Sequence, residues 1–215
     1  MVRVSIRSPS GATVDDQLVY IFADESCLGN QFKETARPGA AAGLIEQFSE
    51  RTGWRRRDFA HFEADTTNNR MAIVSGIEGL RALRRPCKVV FTSDSQYLVN
   101  GMKDWVHGWA ARGWRRKGGP IENVELWKRL CCQAAQHEVE WRWVRGHDGH
   151  PKNEYANELA IRTATERRGI KPKSIESNFG TWIEDEQDRG QFLEFLDMPD
   201  TRLFQPARKA PTGSN

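Results

Sequence analysis

The chain has 215 residues, 38% of them hydrophobic, and a net charge of +3. That is enough for one domain with extensions or two small ones, with a real core. No signal peptide or apolar span of membrane length is evident, and the four cysteines lack metal-ligand spacing, so a soluble, reduced, cytoplasmic protein is the expectation.

Met1 to Asp16 reads as a loose N-terminal arm. Leu18 to Ala23 is an apolar run that predicts a central strand buried on both faces, ending at Asp24. Ala40 to Phe48 and Trp54 to Ala64 read as the next two strands of an antiparallel meander. Thr66, Thr67, Asn68 and Asn69 offer helix caps, and Arg70 to Arg84 has helical periodicity with Ile73, Ile77, Leu80 and Leu83 as its apolar stripe. Cys87 to Thr92 is a fourth strand running to Asp94, parallel to the first. Helical pieces follow from Ser95 to Gly113 and from Glu122 to Gln136, then a fifth strand from Glu138 to Val144 and a helix from Asn153 to Arg168. This is a mixed α/β sheet with helices on its faces, occupying residues 17–168. Residues 169–215 read as a linker, an amphipathic helix over Phe179 to Leu196, and a proline-containing tail expected to be disordered at its end. The helix's apolar side, Phe179, Trp182, Ile183 and Phe192, is expected to pack on its own domain.

The chemistry gathers at strand ends. Neighbouring first and fourth strands place Asp24 and Asp94 together, and like charges held that close need a cation between them. Oxygen-only ligands favour Mg²⁺ or Mn²⁺ over zinc. His147, in a loop after the fifth strand, could shuttle a proton. Taken singly, Asp24 ends a strand as many Asp residues do, and His147 is an ordinary loop residue; convergence makes the case. Two basic clusters, Arg51 with Arg55 to Arg57 and Arg112 with Arg115 to Lys117, suggest a polyanion partner, although such clusters are often only solvated faces. Six of the eight tryptophans lie in the stretch from Trp105 to Trp143.

Six segments, DESCLGN, TTNNRM, TSDSQYLVNGM, WVHGWAARGW, ENVELW and WVRGHDGHPKNEYANELA, together resemble bacterial type 1 ribonuclease H in order and spacing. The resemblance implies the ribonuclease H-like fold, an α/β architecture with a five-stranded mixed sheet in order 3-2-1-4-5. It implies an RNA–DNA hybrid as partner, and cutting of the RNA strand with two Mg²⁺ (or Mn²⁺) ions to leave a 3′-hydroxyl and a 5′-phosphate. A monomer without membrane attachment is expected. By the same resemblance Asp24 and Asp94 match metal-binding carboxylates and His147 the catalytic loop histidine. Asn30, Thr67 and Asn68 match contacts to the nucleic-acid backbone, and Gln96 a residue near the scissile RNA. Trp105, Trp109, Arg112, Arg115, Arg116 and Lys117 match the basic handle that grips the DNA strand; local core packing is the competing reading for such tryptophans.

Two positions depart from the family pattern. Ala72 stands where the family has Glu, and Asn157 where it has Asp. Asn157 keeps an oxygen for a metal but loses the charge; Ala72 offers no ligand atom. Engineering to trap an uncleaved substrate, divergence into a silent hybrid-binding protein, and a relocated carboxylate compete as explanations. Glu154, one helical turn before Asn157, is the best substitute. Glu25 is weaker, since adjacent strand residues point to opposite sides, and Glu78 weaker still.

Overall fold

The apolar run of β1 (Asp15–Cys27) forms the middle of the sheet because it can bury side chains on both faces. The computed structural model describes residues 15–28, 37–146, 148–167 and 175–212. In it β1 pairs antiparallel with β2 (Gly39–Ser49) and parallel with β4 (Cys87–Ser93). β3 (Gly53–Glu63) extends the meander beyond β2, and β5 (Glu138–Trp143) lies parallel beyond β4. The expected order 3-2-1-4-5 is present. A two-residue strand, β6 (Ile175–Glu176), pairs with Arg57 and Asp58 on the outer edge of β3 and makes the sheet six-stranded. A strand that short has no periodicity to read in sequence.

Alternation along β1 divides the core in two. Val19, Ile21 and Ala23 face a layer built from α1 (Asn68–Arg81) and α4 (Val124–Ala134), with Ala72, Ile73, Ile77, Trp127 and Leu130 buried in it. Tyr20 and Phe22 face α5 (Pro151–Glu166) and α6 (Phe179–Asp188), against Tyr155, Leu159, Phe179 and Ile183. β2 follows the same division, with Ala41 and Ile45 on the first face and Ala42 and Leu44 on the second. Each buried Val, Leu or Ile side chain contributes about 1.5–3 kcal/mol by leaving water.

Thr67 starts α1: its Oγ1 accepts from Arg70 N at 3.3 Å. Between β4 and α4 the chain runs through α2 (Gln96–Asn100), one π-helical turn (Gly101–Trp105) and α3 (Val106–Ala111). Residues 1–14, most of the expected arm, lie outside the described residues; Asp15 and Asp16 open β1.

The C-terminal extension differs from expectation at the end of its helix. α6 stops at Asp188 rather than Leu196, because the chain turns at Gly190, whose φ of +82° only glycine adopts readily. The stretch from Asp197 through Ala210 is docked on the domain, and residues 213–215, the end of the tail where disorder is expected, lie outside the described residues. Ala207 N donates to Val139 O at 2.9 Å, Asp197 and Asp200 pair with basic residues of the domain, and Ala207 and Ala210 pack against the core. Among the described residues no helix is long and apolar enough to cross a membrane.

Candidate active site

β1 and β4 are parallel neighbours with Ala23 opposite Ser93, so the residues that follow, Asp24 and Asp94, stand side by side where that pairing ends; β1 itself runs on, paired with β2, to Cys27 rather than ending at Asp24. Asp24 is 5% exposed. It lies opposite Ala42, on the face covered by α5, and Asn153 Nδ2 of that helix donates to its Oδ2 at 3.2 Å. Glu25 lies opposite Ala41, on the α1 face. The two acids therefore do point to opposite sides. Yet β4 no longer flanks β1 beyond Ala23, and on that open side carboxylate oxygens of Asp24, Glu25 and Asp94 all lie within 4.8 Å of one another. Glu25, the weaker substitute by strand alternation, is thus the one that the geometry groups with the two aspartates, because β4 no longer flanks β1 there.

The electrostatics of the cluster are unfavourable as it stands. Burial first, then the neighbouring Asp94 carboxylate, push the Asp24 carboxyl up to about 8. The Glu25 N–H, which donates to Asp24 Oδ1 at 2.7 Å, and the Asn153 amide pull the other way. Glu25 is raised well above the usual carboxylate range by burial and by both aspartates. Its Oε2 is buried with no hydrogen-bond partner, as is Asn153 Oδ1. Orphaned buried oxygens beside crowded carboxylates are a donor set suited to a hard divalent cation.

The surrounding chain is shaped to this cluster. Trp143 Nε1 donates to the Asp94 carbonyl at 2.9 Å and Val144 N to the Ser93 carbonyl at 3.1 Å, tying the end of β5 to the end of β4. Gly146 passes so close that a β-carbon there would collide with Asp94 Oδ2. The α5 helix begins at Pro151, with the His150 carbonyl accepting from Asn153 N at 2.9 Å and Glu154 N at 3.0 Å.

The RNase H family model matches residues 16–165. The chain belongs to the RNase H family. Ribonuclease H of Syntrophotalea carbinolica is 45% identical over 144 residues, 66% of this chain and 88% of that protein. Ribonuclease H of Neisseria gonorrhoeae is 42% identical over 153 residues, 70% of this chain and 98% of that protein. Among solved structures, LC9-RNase H1, described as a type 1 RNase H with the type 2 active-site motif, superposes with a TM-score of 0.83 at 42% identity, covering 93% of this chain and 96% of that one.

Within the RNase H domain, the other sequence-derived residues fall as follows. Ala72 is fully buried among the apolar residues of the α1 layer, on the face that Glu25 shares. Asn157 lies half-buried on α5, one turn beyond Asn153, and it is Asn153 that meets Asp24. Glu154 is close enough to raise the Asp24 carboxyl further but is not one of the clustered acids. Glu78 is buried and paired with Arg81 Nη2 at 2.8 Å, apart from the cluster. His147 and Asn30 lie outside the described residues. Thr67, Asn68 and Gln96 are exposed at the N-termini of α1 and α2.

Trp105 and Trp109 have their ring centroids 5.8 Å apart, and Trp109 packs at 5.8 Å on the buried Trp127. Trp105 is the more open of the two, at 36% exposure. Arg112, Arg115, Arg116 and Lys117 are all exposed, on a turn that leaves α3 through Gly113 and Trp114, both with positive φ. Asn153, absent from the sequence reading, could have been suspected from its place in the first turn of a helix entered from the His147 loop.

Proposed function

We propose that this chain is an RNA–DNA hybrid ribonuclease that hydrolyses the RNA strand, and that Glu25 replaces the carboxylate lost at position 72. The observation that carries this reading is the meeting of Asp24, Glu25 and Asp94 oxygens within 4.8 Å. LC9-RNase H1 lends support, as a type 1 protein of the same fold whose active-site motif is not the type 1 pattern.

Asp24, Glu25 and Asp94 would hold divalent ions, Mg²⁺ or Mn²⁺, with the amide oxygen of Asn157 as a neutral ligand. When bound, such ions supply the positive charge that lets neighbouring carboxylates ionise together and that offsets charge gathering on a phosphodiester under attack. The protein's own groups do the rest. Asn153 orients Asp24 through its Nδ2. Gly146 lets the chain after β5 pass close to Asp94, and the imidazole of His147 would take up or deliver a proton at the leaving 3′-oxygen. Free N–H groups at the start of α1, beside Thr67 and Asn68, suit a backbone phosphate. Gln96 faces the RNA near the cut. The exposed face of Trp105, with Trp109 behind it, packs on the DNA strand while Arg112, Arg115, Arg116 and Lys117 neutralise its phosphates. The protein works as a cytoplasmic monomer, and Asn30 adds a further backbone contact.

The test is cleavage of labelled RNA in a hybrid, with Mg²⁺ or Mn²⁺, beside the matching RNA and DNA duplexes. Fragments with 3′-hydroxyl and 5′-phosphate ends from the hybrid alone are expected. Tight hybrid binding without cutting, at any ion concentration, overturns the reading in favour of a silent binding module.

A further inference from the structure

The extension beyond α6 carries charges that this reaction does not use, seated on the α5 face of the sheet. Asp197 Oδ1 and Oδ2 accept from Arg56 Nη2 at 2.6 and 2.5 Å, and Oδ1 lies 3.3 Å from Lys152 Nζ. The Asp197 carbonyl accepts from Trp54 Nε1 at 3.0 Å. Lys152 is buried; its ammonium also donates to the buried Glu46 Oε1 at 2.5 Å and sits 4.4 Å from the centre of the Trp54 ring. Arg56 closes the circuit on Glu46 Oε2 at 2.9 Å. Two cations and two anions thus balance in a largely dry site, with aromatic faces around the lysine. Asp200 gives a second anchor: its carboxylate pairs with Arg142 of β5, and its carbonyl accepts from Tyr20 Oη at 3.4 Å.

The residue after Lys152 is Asn153, which holds Asp24. Both stand in the first turn of α5. That turn has no side-chain cap, and Pro151 contributes no N–H, so side-chain contacts decide where it sits. The extension lies outside residues 16–165, the part matched by the family.

We propose that Asp197 is a positioning residue for the reaction: by holding Lys152 it fixes the first turn of α5 and, through Asn153, the Asp24 carboxylate. The inference rests on the catalytic reading of the carboxylate cluster. Without the Asp197 charge, Arg56 and Lys152 face Glu46 alone. The lysine is drawn toward water, and the turn that carries Asn153 moves with it. A displacement of about 1 Å at a reacting group costs up to about 100-fold in rate; a carboxylate one step removed should cost about 10-fold.

The experiment compares the full chain with Asp197→Ala, Asp197→Glu and, as a control of similar lost stability, Ile183→Ala in the α6 packing. Steady-state cleavage of labelled hybrid is measured well below every melting temperature. Amide hydrogen exchange is measured without added metal. Asp197→Ala should lower kcat about 10-fold with KM little changed, and speed exchange at Asn153 and Glu154 while the β1 amides stay protected. Asp197→Glu should recover most of the rate, and Ile183→Ala should keep it. If Asp197→Ala does not melt cooperatively, Asp197→Asn decides by the same readouts. Unchanged kcat, unchanged exchange at Asn153 and Glu154, or an equal kcat loss in Ile183→Ala overturns the proposal. If the unsubstituted chain cuts no hybrid, the catalytic reading has failed by itself. The clamp on α5 is then judged by exchange alone, faster at Asn153 and Glu154 supporting it and unaltered overturning it.

Discussion

Asp24 and Glu25 are consecutive residues on opposite faces of β1, yet their carboxylate oxygens lie within 4.8 Å of each other and of Asp94. The rim of the sheet makes this possible. After Ala23 β1 has lost its β4 neighbour while it stays paired with β2 as far as Cys27, so on that open side a Glu, longer by one methylene, reaches round to the Asp beside it. On the proposed reading a carboxylate next to Asp24 on β1 does the work of one on α1, and Ala72, on the same face, can be small and apolar.

That exchange can be run backwards. Glu25→Ala should remove cleavage, and adding Ala72→Glu to it should restore a substantial part, because both positions serve the same face of the sheet. Ala72→Glu in the unaltered chain should instead crowd a fourth acid into a fully buried position. We expect it to lower the metal-free stability by about 1–3 kcal/mol. Denaturant titrations with and without Mg²⁺ measure this, and the deficit should shrink with the ion present.

The pH dependence of stability follows from the same crowding. A carboxyl whose folded value is raised binds more protons when folded than when unfolded, so stability falls as pH rises toward that value. Asp24, pushed up to about 8, and Glu25, also raised, both act in this direction. His137, pushed down to about 4 by burial, acts oppositely between there and its ordinary 6.5. The clean window is therefore about pH 6.5 to 8. In EDTA the melting temperature should drop across it, and Asp94→Asn, which removes one cause of both raised values, should flatten the drop. A metal-free protein that grows more stable across that window contradicts this account.

Much of this was legible in the chain itself, for identifiable reasons. The run Leu18 to Ala23 predicts a central strand because only a strand covered on both faces can be apolar throughout. Asp24 and Asp94 follow from strand adjacency. Strand alternation counts against Glu25, and its grouping with Asp24 and Asp94 depends on β1 losing its β4 neighbour after Ala23, which the sequence does not show. Asn153 went unnoticed because a first-turn amide looks like any capping residue until its partner is known. The seating of residues 197–210 was hidden because its anchors, Arg56, Arg142 and Lys152, lie far away in sequence and ordinary acids such as Asp197 and Asp200 carry no local signal.

A side chain at Gly146 should displace the Asp94 carboxylate. Gly146→Ala would force Asp94 or the loop aside, and a shift of about 1 Å should cost up to about 100-fold in kcat with little loss of fold stability. Parallel kinetics and thermal melts check both halves of that statement.

The handle should show itself through salt. Each phosphate neutralised contributes about one unit to the slope of log affinity against log salt. Replacing Arg112, Arg115, Arg116 and Lys117 with Ala should weaken hybrid binding at low salt and flatten that slope by up to about four units, as measured by fluorescence anisotropy. Trp105→Ala should weaken binding with little effect on melting. Trp109→Ala should also lower the melting temperature, because that ring packs on buried Trp127.

The central claim is that Glu25 is the missing carboxylate. Its most direct measurement is the rate of hybrid cleavage by Glu25→Gln across a full Mg²⁺ or Mn²⁺ titration. Losing a residue that only supports a metal ligand typically costs about 10–100-fold, so losing a ligand should cost about 100-fold or more even at saturating ion. Cleavage by Glu25→Gln at the rate of the unsubstituted chain would contradict it.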